Sequence, residues 1–116
     1  MKDDVLPSRP TPTQDRSNVL ALKGEIDLHV CPSVTVLLNA MIAKKPERLV
    51  VDLSDVTYID SAGLAALIAA MQEVEGYGGR FLLAGLQEPV CNIVESVQLD
   101  HVFQIFENTD AALAAG

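Results

Sequence analysis

The feature that most constrains the fold is an apolar stripe of helical period between two short apolar runs. Apolar residues recur at intervals of three and four along the stripe, and they are Leu64, Leu67, Ile68, Met71 and Val74. This period predicts an amphipathic helix, and glycines at positions 76, 78 and 79 predict its end. The flanking runs, Leu49–Val51 and Phe81–Ala84, predict short strands buried on both faces. Strand, helix and strand in this order predict an α/β fold with a parallel or mixed sheet.

Two strands are predicted in the first half of the chain, and both are short. Residues 18–22 form an apolar run that predicts a strand, and Lys23-Gly24 predicts the turn that ends it. A second strand is predicted over Arg48–Leu53, with Ser54-Asp55 beginning the connection to the central helix.

Three further helices and an edge strand complete the pattern. Pro32 suits the first turn of a helix, because proline lacks an N–H that a helix start leaves unpaired. The residues of this helix expected to face the core are Val34, Leu37, Leu38 and Met41. Glu88-Pro89 opens another helix, whose expected core residues are Val90, Ile93, Val94 and Val97. Residues 102–106 predict an edge strand, and Asn108 or Thr109 is expected to cap a short terminal helix.

Charge and composition exclude several classes of partner and site. The 116 residues carry a formal net charge of -8 with scattered basic residues, which argues against direct nucleic-acid binding. The longest apolar run, residues 62–71, is about half the length of a bilayer span and no apolar targeting segment is visible, so a cytoplasmic protein without membrane insertion is expected. Cys31 and Cys91 are far apart in the sequence, which predicts two buried, reduced thiols.

The strongest candidate for chemistry is Ser61, in the Asp-Ser-Ala-Gly segment of residues 60–63. A nucleophile-elbow serine needs glycine two positions before and after it, and position 59 is Ile. A catalytic triad would also need a histidine base, and His29 and His101 lie beside a predicted turn and a predicted edge strand. A Ser61-dependent hydrolase therefore stays an alternative, with neither a nucleophile elbow nor a placed histidine base.

No metal or cofactor is expected. Asp52, Asp55 and Asp60 could be proposed as Mg²⁺ ligands, because hard cations prefer carboxylates. The first two, however, occupy a predicted strand and a predicted turn, which are common structural positions for aspartate. The sequence therefore favours structural roles for them.

Ser61 is better interpreted as a residue at a helix start that a kinase can reach. It is expected to be the N-cap of the central helix, accepting a hydrogen bond from a backbone N–H of the first turn. A phosphate at this position would be stabilised by unpaired N–H groups and by the positive end of the helix dipole. If the apolar stripe faces inward, some of the alanines at positions 62, 65, 66, 69 and 70 must face outward or sideways. Such small residues allow a partner to approach closely, or they reflect only the high helix propensity of alanine.

Three segments resemble the STAS domains, and in particular the bacterial anti-sigma-factor antagonists. They are residues 22–27 (LKGEID) with Pro32 after them, residues 49–64 with the Asp-Ser-Ala-Gly motif, and residues 79–85 (GRFLLAG). The resemblance spans about residues 19–113. It implies a single α/β STAS domain over residues 15–116, with a mixed sheet of four or five strands and helices packed mainly on one face. Residues 1–14 are interpreted as a flexible, Pro-rich tail, which replaces the strand that relatives carry before Asn18.

The resemblance also implies a function without catalytic activity. In the antagonists, the serine of this motif is phosphorylated by the anti-sigma factor, a serine kinase of the histidine-kinase-like ATPase group, and a metal-dependent phosphatase restores it. The unphosphorylated form binds the kinase and so releases a sigma factor. By this likeness Ser61 is the phosphorylation site, with Asp27 and Asp60 near it. The residues expected at the partner surface are Asp27, Leu28, His29, Thr57, Asp60, Ser61, Ala62, Ala65 and Ala66.

Two further possibilities remain open at the level of the sequence. The same domain could serve as a fixed adaptor subunit of an ABC lipid-transport complex or of a stress-signalling scaffold. The helix after Pro32 is also poor in the Glu and Arg that relatives usually carry. Its outer face is therefore a candidate contact surface, for example in a homodimer.

Overall fold

The computed structural model describes residues 17–115. In chain order the elements are β1 (Ser17–Ile26), α1 (Cys31–Ile42), β2 (Arg48–Ile59), α2 (Ser61–Gly76), β3 (Arg80–Ala84), α3 (Glu88–Ser96), a 3₁₀ turn (Leu99–His101), β4 (Gln104–Phe106) and α4 (Thr109–Ala114). The predicted tail lies outside the described residues, so its boundary with the domain stays a prediction.

The strands form one sheet in the order β1-β2-β3-β4, and all three pairings are parallel. Each of α1, α2 and α3 connects two neighbouring strands and packs into the same core cluster, as crossovers of one hand require. Helix α4 packs on the other face of the sheet. The α/β class, the four strands and the helices mainly on one face are confirmed. The antiparallel pairing of a mixed sheet is not found among residues 17–115.

Strand β2 lies between β1 and β3, and its residues Leu49–Val51 are buried on both faces, as the apolar run predicted. Leu49, Val51 and Leu53 face the core beneath the three crossover helices. Val50 faces the opposite way, into a smaller cluster formed with Leu82, Ala84 and Ala112. Because its side chains alternate between the two faces of the sheet, β2 packs against the crossover helices on one face and against the α4 cluster on the other.

Both predicted strand ends in the first half of the chain are wrong. The strand β1 passes through the expected Lys23-Gly24 turn and ends at Ile26, and β2 continues beyond Leu53 to Ile59. The reason is their mutual pairing, which continues through two register shifts, and Gly24 has a φ of 82° between them. The expected turn is thus a pair of irregularities within a longer ladder.

Several residues expected in the core are exposed instead. Leu37 is 46% exposed, because α1 buries Val34 and Leu38, and position 37 lies outside their stripe, about 60° around the helix from the first and about 100° from the second. Val97 is 52% exposed, because α3 ends at the residue before it. Cys31 and Cys91 are free thiols as predicted, but they are half-buried rather than buried.

Candidate functional site

The candidate site lies where β1 and β2 end side by side. Ile26 and Ile59, the last residues of the two strands, are direct partners in the parallel register. The Asp60 N–H donates to the Ile26 carbonyl oxygen over 3.1 Å, so the ladder continues to the residue before α2. At the carboxyl edge of a parallel sheet the loops of neighbouring strands meet, which is a common place for function.

Asp60 holds the two loops together through both of its carboxylate oxygens. Oδ1 accepts a hydrogen bond from the Gly63 N–H at 3.0 Å, which caps the start of α2. Oδ2 accepts from the Leu28 N–H at 3.1 Å, which fixes the turn between β1 and α1. One side chain therefore sets the position of the turn relative to the helix.

Ser61 is the first residue of α2 rather than its N-cap, so the predicted capping role is wrong. Asp60 takes that role because its extended backbone and its carboxylate, one residue earlier, already satisfy the Gly63 N–H. Ser61 is exposed, and its hydroxyl makes no hydrogen bond within residues 17–115. The hydroxyl is thus available to a reagent or a partner.

Gly63 allows the serine-bearing helix to pack directly on the two strand ends. A Cβ at this position would lie 2.8 Å from the Ile26 carbonyl oxygen and 2.7 Å from Cγ1 of Ile59. Only a residue without a side chain fits such a contact. The motif therefore has a structural logic: the aspartate caps, the serine points to solvent, and the glycine contacts the core.

Asp27 shapes the turn that faces the serine. Its Oδ1 accepts hydrogen bonds from the N–H groups of His29 and Val30, at 3.0 and 3.2 Å. Its carbonyl oxygen accepts from the Cys31 N–H at 3.0 Å, at the start of α1. This turn leaves Leu28 69% exposed, next to the Asp60 carboxylate that binds its N–H.

The predicted alanine surface is only partly exposed. Ala65 is exposed, whereas Ala62 and Ala66 are half-buried. Ala62 lies beside α1, where its carbonyl oxygen is 3.5 Å from Sγ of Cys31. Thr57 is exposed within β2 and makes no hydrogen bond to the turn or to α2 in the described structure. The structure therefore brings Leu28, Ser61 and Ala65 to one end of the sheet, and among the described residues Thr57 makes no hydrogen bond to any of them.

The site offers negative charge and no enzymatic base in contact with the serine. His29 is exposed in the turn and His101 is exposed at the end of the 3₁₀ turn, and in the part of the chain described neither hydrogen-bonds to Ser61. Residues 27–31 and 59–66 contain two aspartates and no Lys or Arg. No three potential metal-ligand side chains cluster within the described range, and no helix there is long and apolar enough to cross a membrane.

Sequence reasoning identified the serine but missed the double role of Asp60 and the contact made by Gly63. A capping signal was present, because an aspartate precedes the first helical residue. The contact of Asp60 with Leu28 had no local signal, since the two residues are 32 positions apart.

The chain is similar in sequence and in fold to known proteins. Residues 8–112 match the STAS domain family. The chain is 30% identical to the anti-sigma-F factor antagonist RsfB of Mycobacterium tuberculosis over 95 residues, covering 82% of this chain and 77% of that protein. It is 29% identical to the anti-sigma-B factor antagonist of Listeria monocytogenes over 82 residues, covering 71% and 72%. The crystal structure of an anti-sigma factor antagonist from Mycobacterium paratuberculosis superposes with a TM-score of 0.81 and 29% identity, covering 89% and 87%.

Proposed function

Because this chain belongs to the STAS domain family, we propose that it acts as an anti-sigma-factor antagonist controlled by phosphorylation of Ser61. In this proposal the unphosphorylated chain binds an anti-sigma-factor serine kinase of the histidine-kinase-like ATPase group in the cytoplasm. The kinase then transfers the γ-phosphoryl group of ATP to Oγ of Ser61, with release of ADP and the hydroxyl proton. A metal-dependent serine phosphatase reverses the modification.

The observation that carries the proposal is the free hydroxyl of Ser61 at the start of α2. Since Asp60 supplies the cap, phosphorylation of Ser61 removes no hydrogen bond that the described fold uses. Leu28 and Ala65 are exposed beside it and offer apolar surface to a docked partner. The exposed serine and its apolar surroundings are suited to a docking surface whose affinity for a partner is changed by phosphorylation within it.

The switch follows from the charge of the site. A phosphate adds roughly -1.5 to -2 charges at neutral pH. The site already contains Asp27 and Asp60, and its two segments supply no Lys or Arg. When the partner covers this surface, the phosphate loses water without gaining a cation from these segments, which costs several kcal/mol. The phosphorylated form is therefore expected to leave the kinase.

Phosphate labelling of the wild-type chain and of two serine variants tests the assignment. Purified chain, the cognate kinase and ATP should yield a single phosphate on Ser61, located by mass spectrometry. Ser61→Ala should abolish labelling. Ser33→Ala, at an exposed serine in the first turn of α1, should leave it unchanged. Undiminished labelling of Ser61→Ala would refute the assignment, and binding that ignores the phosphate would favour the fixed-adaptor alternative.

A further inference from the structure

Helix α1 carries two apolar stripes, and the core buries only one of them. Val34 and Leu38 are buried under the sheet, as expected for an amphipathic helix. The second stripe has the spacing i, i+3, i+4, i+7 and consists of the exposed residues Ser33, Val36, Leu37 and Ala40. Val36 is 66% exposed and Leu37 is 46% exposed. We call these four residues the outer face of α1.

The outer face has a self-complementary order. Read from either end, it presents a small residue, two large apolar residues and a small residue. Val36 and Leu37 are the sixth and seventh of the 12 residues of α1, so they flank the centre of the helix. A two-fold axis through that centre sets Val36 of one copy against Leu37 of the other, and Ser33 against Ala40. The small residues at both ends let the two helices approach closely.

The distribution of charge favours a second copy of this chain as the occupant. Helix α1 contains no charged residue, whereas α2, α3 and α4 each carry at least one carboxylate. Two molecules that each carry a formal charge of -8 repel each other, so a contact between surfaces without charge is less unfavourable than one that brings carboxylates together. The outer face of α1 is such an uncharged surface.

We propose that the outer face of α1 is a homodimer interface, in which two α1 helices pack antiparallel about a two-fold axis. Four side chains of this size cover less than the ~800 Å² per partner of a standard interface. The dimer is therefore weak and exchanges rapidly with the monomer.

Sedimentation equilibrium tests the association directly. The average mass of the unphosphorylated chain should rise from 12.4 kDa toward twice that value as the concentration increases. A range of about 0.01 to 1 mM spans the dissociation constants expected for a small interface. Added salt should strengthen the association, because it screens the repulsion between two negative molecules while the apolar contact persists. A monomer throughout this range at high salt would overturn the proposal.

Paired substitutions test the two-fold geometry. Leu37→Lys alone and Val36→Glu alone should each remain monomeric, although Leu37→Lys lowers the net negative charge. Mixed together, they should recover heterodimers in part, because the new lysine then faces the new glutamate across the axis. Val97→Lys is the matched control, since Val97 is 52% exposed at the end of α3 and should leave the dimer intact.

Two further outcomes would contradict the interface. Dimers that survive both single substitutions would place the contact elsewhere. Loss of kinase binding by Leu37→Lys in a chain that is monomeric at every concentration would assign the outer face to the kinase instead. Labelling of Ser61 is measured separately, so failure of the dimer and failure of the proposed function remain distinguishable.

Discussion

Asp60 is the residue on which the geometry of the site depends. Its two carboxylate oxygens bind the Gly63 and Leu28 N–H groups, and its own N–H binds the Ile26 carbonyl oxygen. An N-cap of this kind stabilises a protein by about 1 kcal/mol, and a further hydrogen bond contributes about the same. Asp60 therefore couples the stability of α2 to the position of the turn.

Substitution of Asp60 by Ala should lower the free energy of unfolding by about 2 kcal/mol and also weaken kinase binding. Asn108→Ala is the matched control, because Asn108 caps α4 through a hydrogen bond from the Ala111 N–H at 2.8 Å and makes no contact with the site. It should cost about 1 kcal/mol and leave kinase binding unchanged. Urea denaturation and calorimetry measure both quantities. Equal losses in the two variants would show that the contact with Leu28 contributes nothing.

The rate at which the Cys91 thiol is alkylated should depend on pH. Partial burial, with a hydrogen bond to Glu95 and its negative charge, raises the pKa of the Cys91 thiol. Less thiolate is then present at neutral pH, so alkylation of Cys91 should be slow and should accelerate as the pH rises above the usual range of a thiol. Glu95→Gln should speed the reaction at pH 7, as measured by mass spectrometry of the Cys91 peptide. An unchanged rate would attribute the raised pKa to burial and to the negative charges of Asp100 and Glu88.

At the scale of the element, α2 is held to the sheet by its first turn as well as by its apolar stripe. Leu64, Leu67, Met71 and Val74 are buried along the helix, which confirms the predicted period. Gly63 adds a contact with the backbone at the ends of the strands. The helix start is thus fixed more closely than the stripe alone requires, and the exposed serine is fixed with it.

The two glycines of α2 should respond in opposite directions to alanine. Gly63→Ala forces a Cβ into the Ile26 and Ile59 contacts and should destabilise the fold by about 1 to 3 kcal/mol. Gly76→Ala meets nothing within 4 Å and should be neutral or stabilising by up to about 1 kcal/mol, because alanine has the higher helix propensity. Thermal and urea unfolding distinguish the two. A stable Gly63→Ala variant would mean that the helix start can shift away from the strands.

A bulky, charged substitution tests whether the exposed side of α2 binds the kinase. Ala65→Arg should weaken kinase binding and change the free energy of unfolding by less than about 0.5 kcal/mol, since Ala65 is exposed. Ala114→Arg serves as its control, because Ala114 is also exposed but belongs to α4 on the other face of the sheet. Circular dichroism verifies the fold of both. Unchanged binding of Ala65→Arg would move the docking surface away from α2.

At the scale of the whole molecule, phosphorylation should change binding while leaving stability almost unaltered. The start of α2 stabilises an anion by roughly 0.3 to 1 kcal/mol, and repulsion by the adjacent Asp60 offsets part of this gain. The melting temperature of the phosphorylated chain should therefore stay within a few degrees of that of the unmodified chain. A penalty of about 3 to 4 kcal/mol at the covered interface corresponds to a loss of two to three orders of magnitude in affinity. Calorimetry and thermal unfolding of both forms measure the two effects.

The variant Ser61→Asp provides a partial mimic of the phosphorylated chain. Ser61→Asp carries one negative charge and fewer oxygens than a phosphate, so it should reproduce only part of the loss of affinity. Equal affinity of the modified and unmodified chains would contradict the mechanism. Large backbone chemical-shift changes far from Ser61 would instead indicate that the modification rearranges the domain.

Features that depend on neighbouring residues along the chain were predictable from the sequence. The period of the α2 stripe, the apolar run of β2 and the glycines after α2 each lie within one segment, and all predicted their elements. The exposure of Ser61 was also predictable. The serine lies three residues before Leu64, where the apolar stripe of α2 begins, and so it precedes the buried part of the helix. The similarity of the three short segments to a known family added the expected roles of these residues.

The ends of the strands, and the residues that meet there, depend on tertiary packing and were not predictable from local sequence. The Lys23-Gly24 pair resembles a turn locally, yet the pairing of β1 with β2 carries both strands on to Ile26 and Ile59. The contact of Asp60 with Leu28 spans 32 positions, and it exists because that register sets the two strand ends side by side. The exposure of Leu37 depends on which stripe of α1 meets the sheet. Periodicity is encoded by neighbours in the chain, whereas register and facing are set by the packing of segments that are distant in sequence.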